Sequence, residues 1–333
     1  MKIIVDDKIP FIRPALQRIT EDVVYIKGAA ISPDDVRDAD AIIVRTRTRC
    51  DEKLLGESSV RFVATATIGI DHLDTAYLER AGIRWVNCPG CNATSVGQYL
   101  ETSLLSLQRD HGLDIPNTTI GIVGCGHVGS AVKAVAERMG FKILVNDPFL
   151  DSKGLVCLDD IRRMADVITF HVPLTHGGAH PTFHLADRDF LMGLGRKNVT
   201  IINTSRGGVI DEQALLEVMD RGNVSHAIID TWENEPNINR QLLERAYIAT
   251  PHIAGYSADG KVNADNMVIE SLCDFFRKPR PEIIVPPSLP PSFTYHGNPL
   301  ELYDPIADSE LLKSNPGQFE EQRGNYHLRR EKA

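Results

Sequence analysis

No apolar run in the 333 residues approaches the length of roughly 18 that a membrane-spanning helix needs. Basic charge is not in excess. The chain has 36 Lys and Arg against 45 Asp and Glu, a formal net charge of −9. That balance argues against a nucleic-acid backbone or an anionic membrane as the main partner. Cysteine is scarce as well. Six residues, at 50, 88, 91, 125, 157 and 273, are too scattered for a disulfide scaffold in a chain this long. Only Cys88-Pro89-Gly90-Cys91 has CxxC spacing, and no second pair completes a four-thiolate zinc site. It reads as a turn that holds two thiols, and the reducing cytoplasm is the expected compartment. The start, Met1-Lys2-Ile3-Ile4-Val5-Asp6-Asp7, meets an acidic pair too early for a secretory signal and reads as a first strand. No short fixed repeat is present.

What the chain does contain is alternation. Strands are expected at 2–6, 23–26, 41–45, 61–64 and 84–87, with helical patterns at 9–19 and 73–81 between them. A long helical pattern at 93–110 follows. A second series of strands then runs at 119–124, 142–147, 166–172, 199–203, 225–230 and 247–250, before another long helix at 258–276. Short strand–helix repeats imply parallel sheets covered on both faces. The expected fold class is therefore α/β, with two doubly wound parallel-sheet domains. The last long helix is placed to return the chain to the first domain. Six prolines between 279 and 291 preclude a regular helix and favour a stiff, extended connector. The expected limits are 1–92 with 257–280 for one domain and 93–256 for the other. A Pro-rich linker and short C-terminal segment, read as a dimerisation arm, occupy 281–333.

The strand Thr119-Ile120-Gly121-Ile122-Val123 runs into Gly124-Cys125-Gly126-His127-Val128-Gly129 and then a helix. This is GxGxxG in its strand–turn–helix setting. Gly124 permits the tight turn, Gly126 lets backbone approach a pyrophosphate, and Gly129 lets helix and strand pack closely. Amide groups at the helix start attract phosphate charge. The next strand ends at Asp147, an acid placed to bond ribose hydroxyls and repel a 2′-phosphate. Pro148 and Phe149 follow it with no adjacent Arg, so NAD is expected over NADP.

Three later segments fall at carboxyl ends of strands, where this fold places its chemistry. They are Asn203-Thr204-Ser205-Arg206-Gly207-Gly208, Asp230-Thr231-Trp232-Glu233-Asn234-Glu235-Pro236 and Thr250-Pro251-His252-Ile253-Ala254-Gly255-Tyr256. They offer a guanidinium, a carboxylate and an imidazole. Oxidation of a 2-hydroxy acid needs those types. Arg206 can grip the carboxylate, His252 can take the hydroxyl proton, and Glu235 can orient His252.

With Ala64-Thr65-Ala66-Thr67-Ile68-Gly69-Ile70-Asp71-His72 and Pro89-Gly90-Cys91-Asn92-Ala93, these motifs resemble the D-isomer-specific 2-hydroxyacid dehydrogenase family. The resemblance covers about residues 1–280 and resumes in the final Arg323 to Arg330 pattern. It implies a flavodoxin-like substrate domain and a Rossmann NAD domain. It implies Arg206, Glu235 and His252 as the catalytic set, with NAD contacted by Asp147, Thr204, Ser205, Arg206, Asp230 and Gly255. It places Thr46, Thr67 and Tyr256 on the substrate. Where relatives often present Thr, this chain has Val172. The implied activity is NAD-dependent oxidation of a phosphorylated 2-hydroxy acid by a homodimer. A dehydrogenase of another acid, such as 3-phosphoglycerate, and a NAD-sensing interaction protein on the same scaffold are the alternatives.

A substrate phosphate needs a basic partner. Arg45, Arg47 and Arg49 alternate near a strand end, and continued extension would project them to one side. Arg45 and Arg47 are thus candidates. His171, His176, His180 and His184 are close in sequence, but Gly177, Gly178 and Pro181 prevent one helix from aligning them. No metal is expected.

Overall fold

Ile3-Ile4-Val5, Ala41-Ile42-Ile43-Val44 and Phe62-Val63-Ala64 are apolar at consecutive positions, and strands of that kind must be covered on both faces. The computed structural model describes residues 1–332. The chain divides into one unit of Met1–Asn92 with Ser257–Leu289, and another of Ala93–Tyr256 with the chain from Pro290 onward.

In the first unit β1 (Ile3–Asp6), β2 (Val23–Ile26), β3 (Ala41–Val44), β4 (Phe62–Thr65) and β5 (Arg84–Val86) form a sheet in the order β2-β1-β3-β4-β5. Every pairing is parallel. Side-chain alternation sends Ile3, Val5, Ile43 and Phe62 to one face, against Val268 and Leu272 of the helix Ala258–Phe276. Ile4, Ile42, Val44 and Val63 go to the other, against Leu54, Leu55 and Leu78. Each fully buried aliphatic side chain contributes about 1.5–3 kcal/mol. The strand order reverses between β1 and β3, so the loops leaving those two strands flank the sheet's switch point.

Two local expectations change here. The helix expected at 9–19 is confined to Arg13–Gln17. Pro10 disfavours helical backbone at Ile9, and Pro14 is accommodated in the first turn. β3 stops at Val44, and Thr46 and Arg47 lie in a turn. Arg45, Arg47 and Arg49 therefore do not share one strand face. The Pro-rich connector is neither helix nor strand between 278 and 290. Asn266 pins it, its Nδ2 donating to the Ile284 carbonyl at 2.9 Å and its Oδ1 accepting from the Ile284 amide at 2.9 Å.

The second unit holds β6 (Thr119–Val123), β7 (Lys142–Asn146), β8 (Val167–Phe170), β9 (Val199–Asn203), β10 (Val224–Ile229) and β11 (Ile248–Ala249). They form a parallel sheet in the order β11-β10-β9-β8-β6-β7. Ile120, Ile122, Ile202 and Ile228 pack with Tyr99, Leu104 and Val132. On the other face Ile168, Phe170, Ile201 and Ile229 pack with Ile161, Leu215 and Leu242. The reversal falls between β6 and β8, beside the glycine loop that follows β6.

The C-terminal segment covers the β11 edge of this sheet. The helix Pro305–Ser314 contributes Ser309, whose Oγ accepts from the Ala249 amide at 2.9 Å. Leu312 and Phe319 are buried in the core beneath it. An otherwise open edge is thereby closed. Among the described residues, no helix is long and apolar enough to cross a membrane.

Candidate active site

The glycine loop has the close backbone approaches that a phosphate cradle needs. Gly124 has φ +89°, and a Cβ there would come within 2.6 Å of the His171 carbonyl oxygen. A Cβ on Gly129 would lie 2.0 Å from the Gly124 carbonyl oxygen, so helix and turn meet only through glycine. Gly126 differs. It caps the helix His127–Met139, and a Cβ on it would meet nothing within 4 Å. The fold has no steric need for glycine at that position, and open space lies beside the helix amides. Asp147, just past β7, faces this loop. Its Oδ2 accepts from the Cys125 amide at 2.8 Å and its Oδ1 from the Phe149 amide at 3.0 Å. Amides at a helix start, room at Gly126 and a carboxylate at the next strand end fit a dinucleotide.

β9 delivers the loop that carries Arg206. Asn203, at its last position, organises that loop. Its Oδ1 accepts from the Ser205 amide at 3.1 Å and hydroxyl at 2.8 Å, and its Nδ2 donates to the Arg206 carbonyl at 2.9 Å. Arg206 in turn donates from Nη1 to the Ser205 carbonyl at 2.9 Å. A Cβ on Gly207 would sit 1.9 Å from the Trp232 carbonyl oxygen. Glycine there lets the Arg206 loop touch the loop that carries Glu235. Thr204 Oγ1 lies 3.4 Å from His171 Nδ1, and His171 Nε2 lies 2.9 Å from Thr169 Oγ1. Burial pushes His171 down to about 3, which leaves it a neutral structural histidine.

Glu235 and His252 meet directly. His252 Nδ1 is 2.9 Å from Glu235 Oε2 and 3.1 Å from Oε1. Glu235 Oε1 also accepts from the Trp232 amide at 3.0 Å. Burial pushes the Glu235 carboxyl up, but the bond and charge of His252, the Trp232 amide and Arg323 together hold it below its ordinary value. An ionised Glu235 accepts from Nδ1–H, and this leaves Nε2 to exchange protons. His252 has φ +57°, a left-handed conformation costly for a residue with a Cβ.

The loop that carries His252 is fixed from two sides. Asp230, 1% exposed, accepts from the Thr250 hydroxyl at 2.6 Å, the Ile253 amide at 2.7 Å and the Ala254 amide at 3.0 Å. Burial is the main force on its carboxyl and raises it. Thr250 also meets the Tyr99 hydroxyl at 2.8 Å. Arg329 holds the opposite dipole ends. It donates to the carbonyls of Ile253 at 3.1 Å, Tyr256 at 2.8 Å and Ala254 at 2.6 Å. Gly255 and Tyr256 lie on this clamped loop, each half-buried. Asn203, Thr250, Arg323 and Arg329 are site-building residues that sequence reasoning did not single out. Of these, the two arginines belong to the final pattern of the resemblance.

The remaining candidates belong to the first unit. Arg45 donates from Nη1 to the Lys8 carbonyl at 3.0 Å, Thr46 and Arg47 are exposed, and Arg49 pairs with Asp51 at 2.9 Å. Thr67 donates to the Gly69 carbonyl at 3.0 Å and lies 2.7 Å from Thr65 Oγ1, which is 2.9 Å from His72 Nε2. Because Thr67 donates to a carbonyl, the chain of donors runs from His72 Nε2–H through Thr65 to Thr67. Burial lowers His72, consistent with a neutral ring. Among the described residues, no group of three His, Cys, Asp or Glu side chains is arranged to hold a metal. His184 instead bonds Glu233 at 2.7 Å.

Comparison with known proteins places these features in a family. Residues 94–254 match the model of the D-isomer specific 2-hydroxyacid dehydrogenase, NAD binding domain. A Bacteroides fragilis protein named erythronate-4-phosphate dehydrogenase is 51% identical over 341 residues, spanning 100% of this chain and 98% of its own. A protein of that name from Bacteroides thetaiotaomicron is 49% identical, spanning 99% and 97%. Among solved structures, the NAD+-bound 3-phosphoglycerate dehydrogenase of Entamoeba histolytica superposes with a TM-score of 0.72 at 28% identity, over 83% of this chain and 95% of that one. The cofactor is NAD, and the chain belongs to the D-isomer specific 2-hydroxyacid dehydrogenase family.

Proposed function

We propose that the protein oxidises 4-phospho-D-erythronate to 2-oxo-3-hydroxy-4-phosphobutanoate, a step toward pyridoxal 5′-phosphate. The names of the relatives supply the substrate. The observation that carries the chemistry is the Glu235–His252 contact at 2.9 Å. His252 Nε2 takes the hydroxyl proton of the substrate. Glu235 holds Nδ1–H and stabilises the imidazolium that forms. Arg206, steadied on the Ser205 carbonyl, grips the substrate carboxylate and polarises the adjacent C–O bond. NAD, when bound, accepts the hydride from the same carbon. Gly124, Gly126, Gly129 and Asp147 hold the dinucleotide, with Thr204, Ser205 and Gly255 beside it. Asp230 acts toward it through the loop whose amides it fixes. Thr46, Thr67, Arg45, Arg47 and Tyr256 contact substrate, with the arginines on its phosphate.

The compartment in this reading is the cytoplasm, and the functional unit is a homodimer. Ile283 and Val285, 78% and 73% exposed, are apolar side chains that a second copy would cover. Steady-state turnover of 4-phospho-D-erythronate, 3-phosphoglycerate and unphosphorylated 2-hydroxy acids, each with NAD and with NADP, tests the substrate. His252→Gln tests the chemistry. It should lower kcat by about 10²–10⁴-fold while NAD affinity is kept. Wild-type kcat in that variant, or preference for another acid, refutes the corresponding part of the reading.

A further inference from the structure

The C-terminal segment brings an arginine to the Glu235–His252 pair. Arg323, on the helix Phe319–Gly324, places Nη1 at 3.9 Å from Glu235 Oε2. That oxygen is also the nearer one to His252 Nδ1. The Arg323 side chain is only 15% exposed, its Nε is buried with no hydrogen-bond partner, and its guanidinium lies 6.0 Å from the Tyr256 ring centre. Sequestering a guanidinium with an unfilled donor is costly. Docking of the segment does not require that cost, because Ser309, Leu312, Phe319 and Arg329 already fasten it.

We propose that Arg323 is a positioning residue for the acid/base pair, holding the Glu235 carboxylate ionised and aligned on His252 Nδ1. The inference rests on Glu235 and His252 being that pair. The surroundings are rich in acid. Asp230 underlies the His252 loop and takes the His252 amide on its carbonyl at 2.8 Å. Glu212, which opens the helix Glu212–Asp220, accepts the Glu233 amide at 2.7 Å. Glu233 itself bonds His184. Three arginines lie on the elements around these carboxylates: Arg206, Arg323 and Arg329, the last already committed to the Ile253, Ala254 and Tyr256 carbonyls. Without Arg323, the negative field favours proton retention on both members of the pair.

The two reaction directions then respond differently. Oxidation starts with His252 unprotonated on an ionised Glu235, and reduction starts with the proton in place. Removing the charge of Arg323 should move the low-pH limb of kcat/KM for oxidation upward by about one pH unit. The high-pH limb for reduction of the 2-oxo acid should move the same way, so reduction gains ground at alkaline pH. A purely structural defect lowers both directions together and moves neither limb.

The experiment compares pH profiles in both directions for the full-length enzyme with Arg323→Met, Arg323→Gln and Arg323→Lys. Tryptophan fluorescence, read from Trp232 alone in a Trp85→Phe background, checks that each variant is folded. Upward limbs in the Met and Gln variants, with the Lys variant near wild type, are expected. Limbs at the wild-type position, or equal displacement in the Gln and Lys variants, overturn the proposal. His252→Gln run in parallel separates the two readings: if it retains turnover, the pair itself was misassigned, whatever the Arg323 variants do.

Discussion

Replacing Arg329 by methionine keeps much of the side-chain volume and removes every donor. In the wild type Arg329 is 6% exposed. It serves the carbonyls of Ile253, Tyr256, Ala254 and Ser95 and the side-chain oxygen of Gln98, and it lies 4.0 Å from the Tyr303 ring centre. Each hydrogen bond to a charged group is worth about 1.5–3 kcal/mol, but these bonds share one donor group whose desolvation opposes them. Leaving a buried acceptor unsatisfied costs about 1–3 kcal/mol. With several neutral acceptors orphaned and the desolvation cost of the guanidinium relieved, we expect a net loss of about 4 kcal/mol in the unit that contains it. For a domain of about 200 residues, that lowers Tm by roughly 10 °C. Trp85 and Trp232 lie in different units. In a Trp85→Phe background, fluorescence reports the second unit alone, through an indole that donates to the Thr250 carbonyl at 2.9 Å. The transition should fall by roughly 10 °C for Arg329→Met and by less for Arg329→Lys. A fall under about 2 °C for the methionine variant refutes the view that this arginine fastens the His252 loop.

Gly126→Ala should fold with an unchanged Tm, because its new Cβ meets no atom within 4 Å, yet bind NAD at least about tenfold more weakly. Undiminished affinity in a titration would remove the pyrophosphate from this loop. Glu212 is pushed up to about 7, chiefly by burial. Its folded value lies above its unfolded one, so its contribution to stability is present at low pH and lost as pH rises from about 4.5 to 7. Glu212→Gln should therefore gain about 2 kcal/mol relative to wild type between pH 5 and pH 8; a gain in the opposite direction on denaturation would sink this. Arg45→Ala and Arg47→Ala should each raise KM for the phosphorylated substrate with little change in kcat, and unaltered kinetics in both would reject their role at the phosphate.

Much of the architecture was legible because it depends on local pattern. Ile3-Ile4-Val5 and Ala41-Ile42-Ile43-Val44 can only be strands buried on both faces, and they are. The helix Ala258–Phe276 begins and ends where its apolar spacing indicates. The glycine loop, Asp147 and the segments bearing Arg206, Glu235 and His252 could be read as chemistry from residue type and strand position. Strand ends were less legible. Val44 ends β3 where the alternation of Arg45, Arg47 and Arg49 suggested more strand, because a turn at Thr46 and Arg47 leaves no trace in a period-two pattern. Arg323 and Arg329 fell within the final pattern of the resemblance, but their roles were hidden for another reason. Their partners are far away in sequence, and a polar tail carries no periodicity that points to a buried destination. Gly207 was visible as a letter in a motif, but its reason, the Trp232 carbonyl 1.9 Å from any Cβ, is tertiary.

The dependence of the His252 loop on Arg329 sets an order of events during biosynthesis. Arg329 follows Tyr256 by 73 positions. As the nascent polypeptide leaves the ribosome, both sheets and the glycine loop emerge while the carbonyls of Ile253, Ala254 and Tyr256 still lack their donor. On this reading the His252 loop gains its clamp only when the segment bearing Arg329 has been released and docked. By the same logic, loss of that short segment should loosen the loop while leaving nearly all of the chain's mass intact.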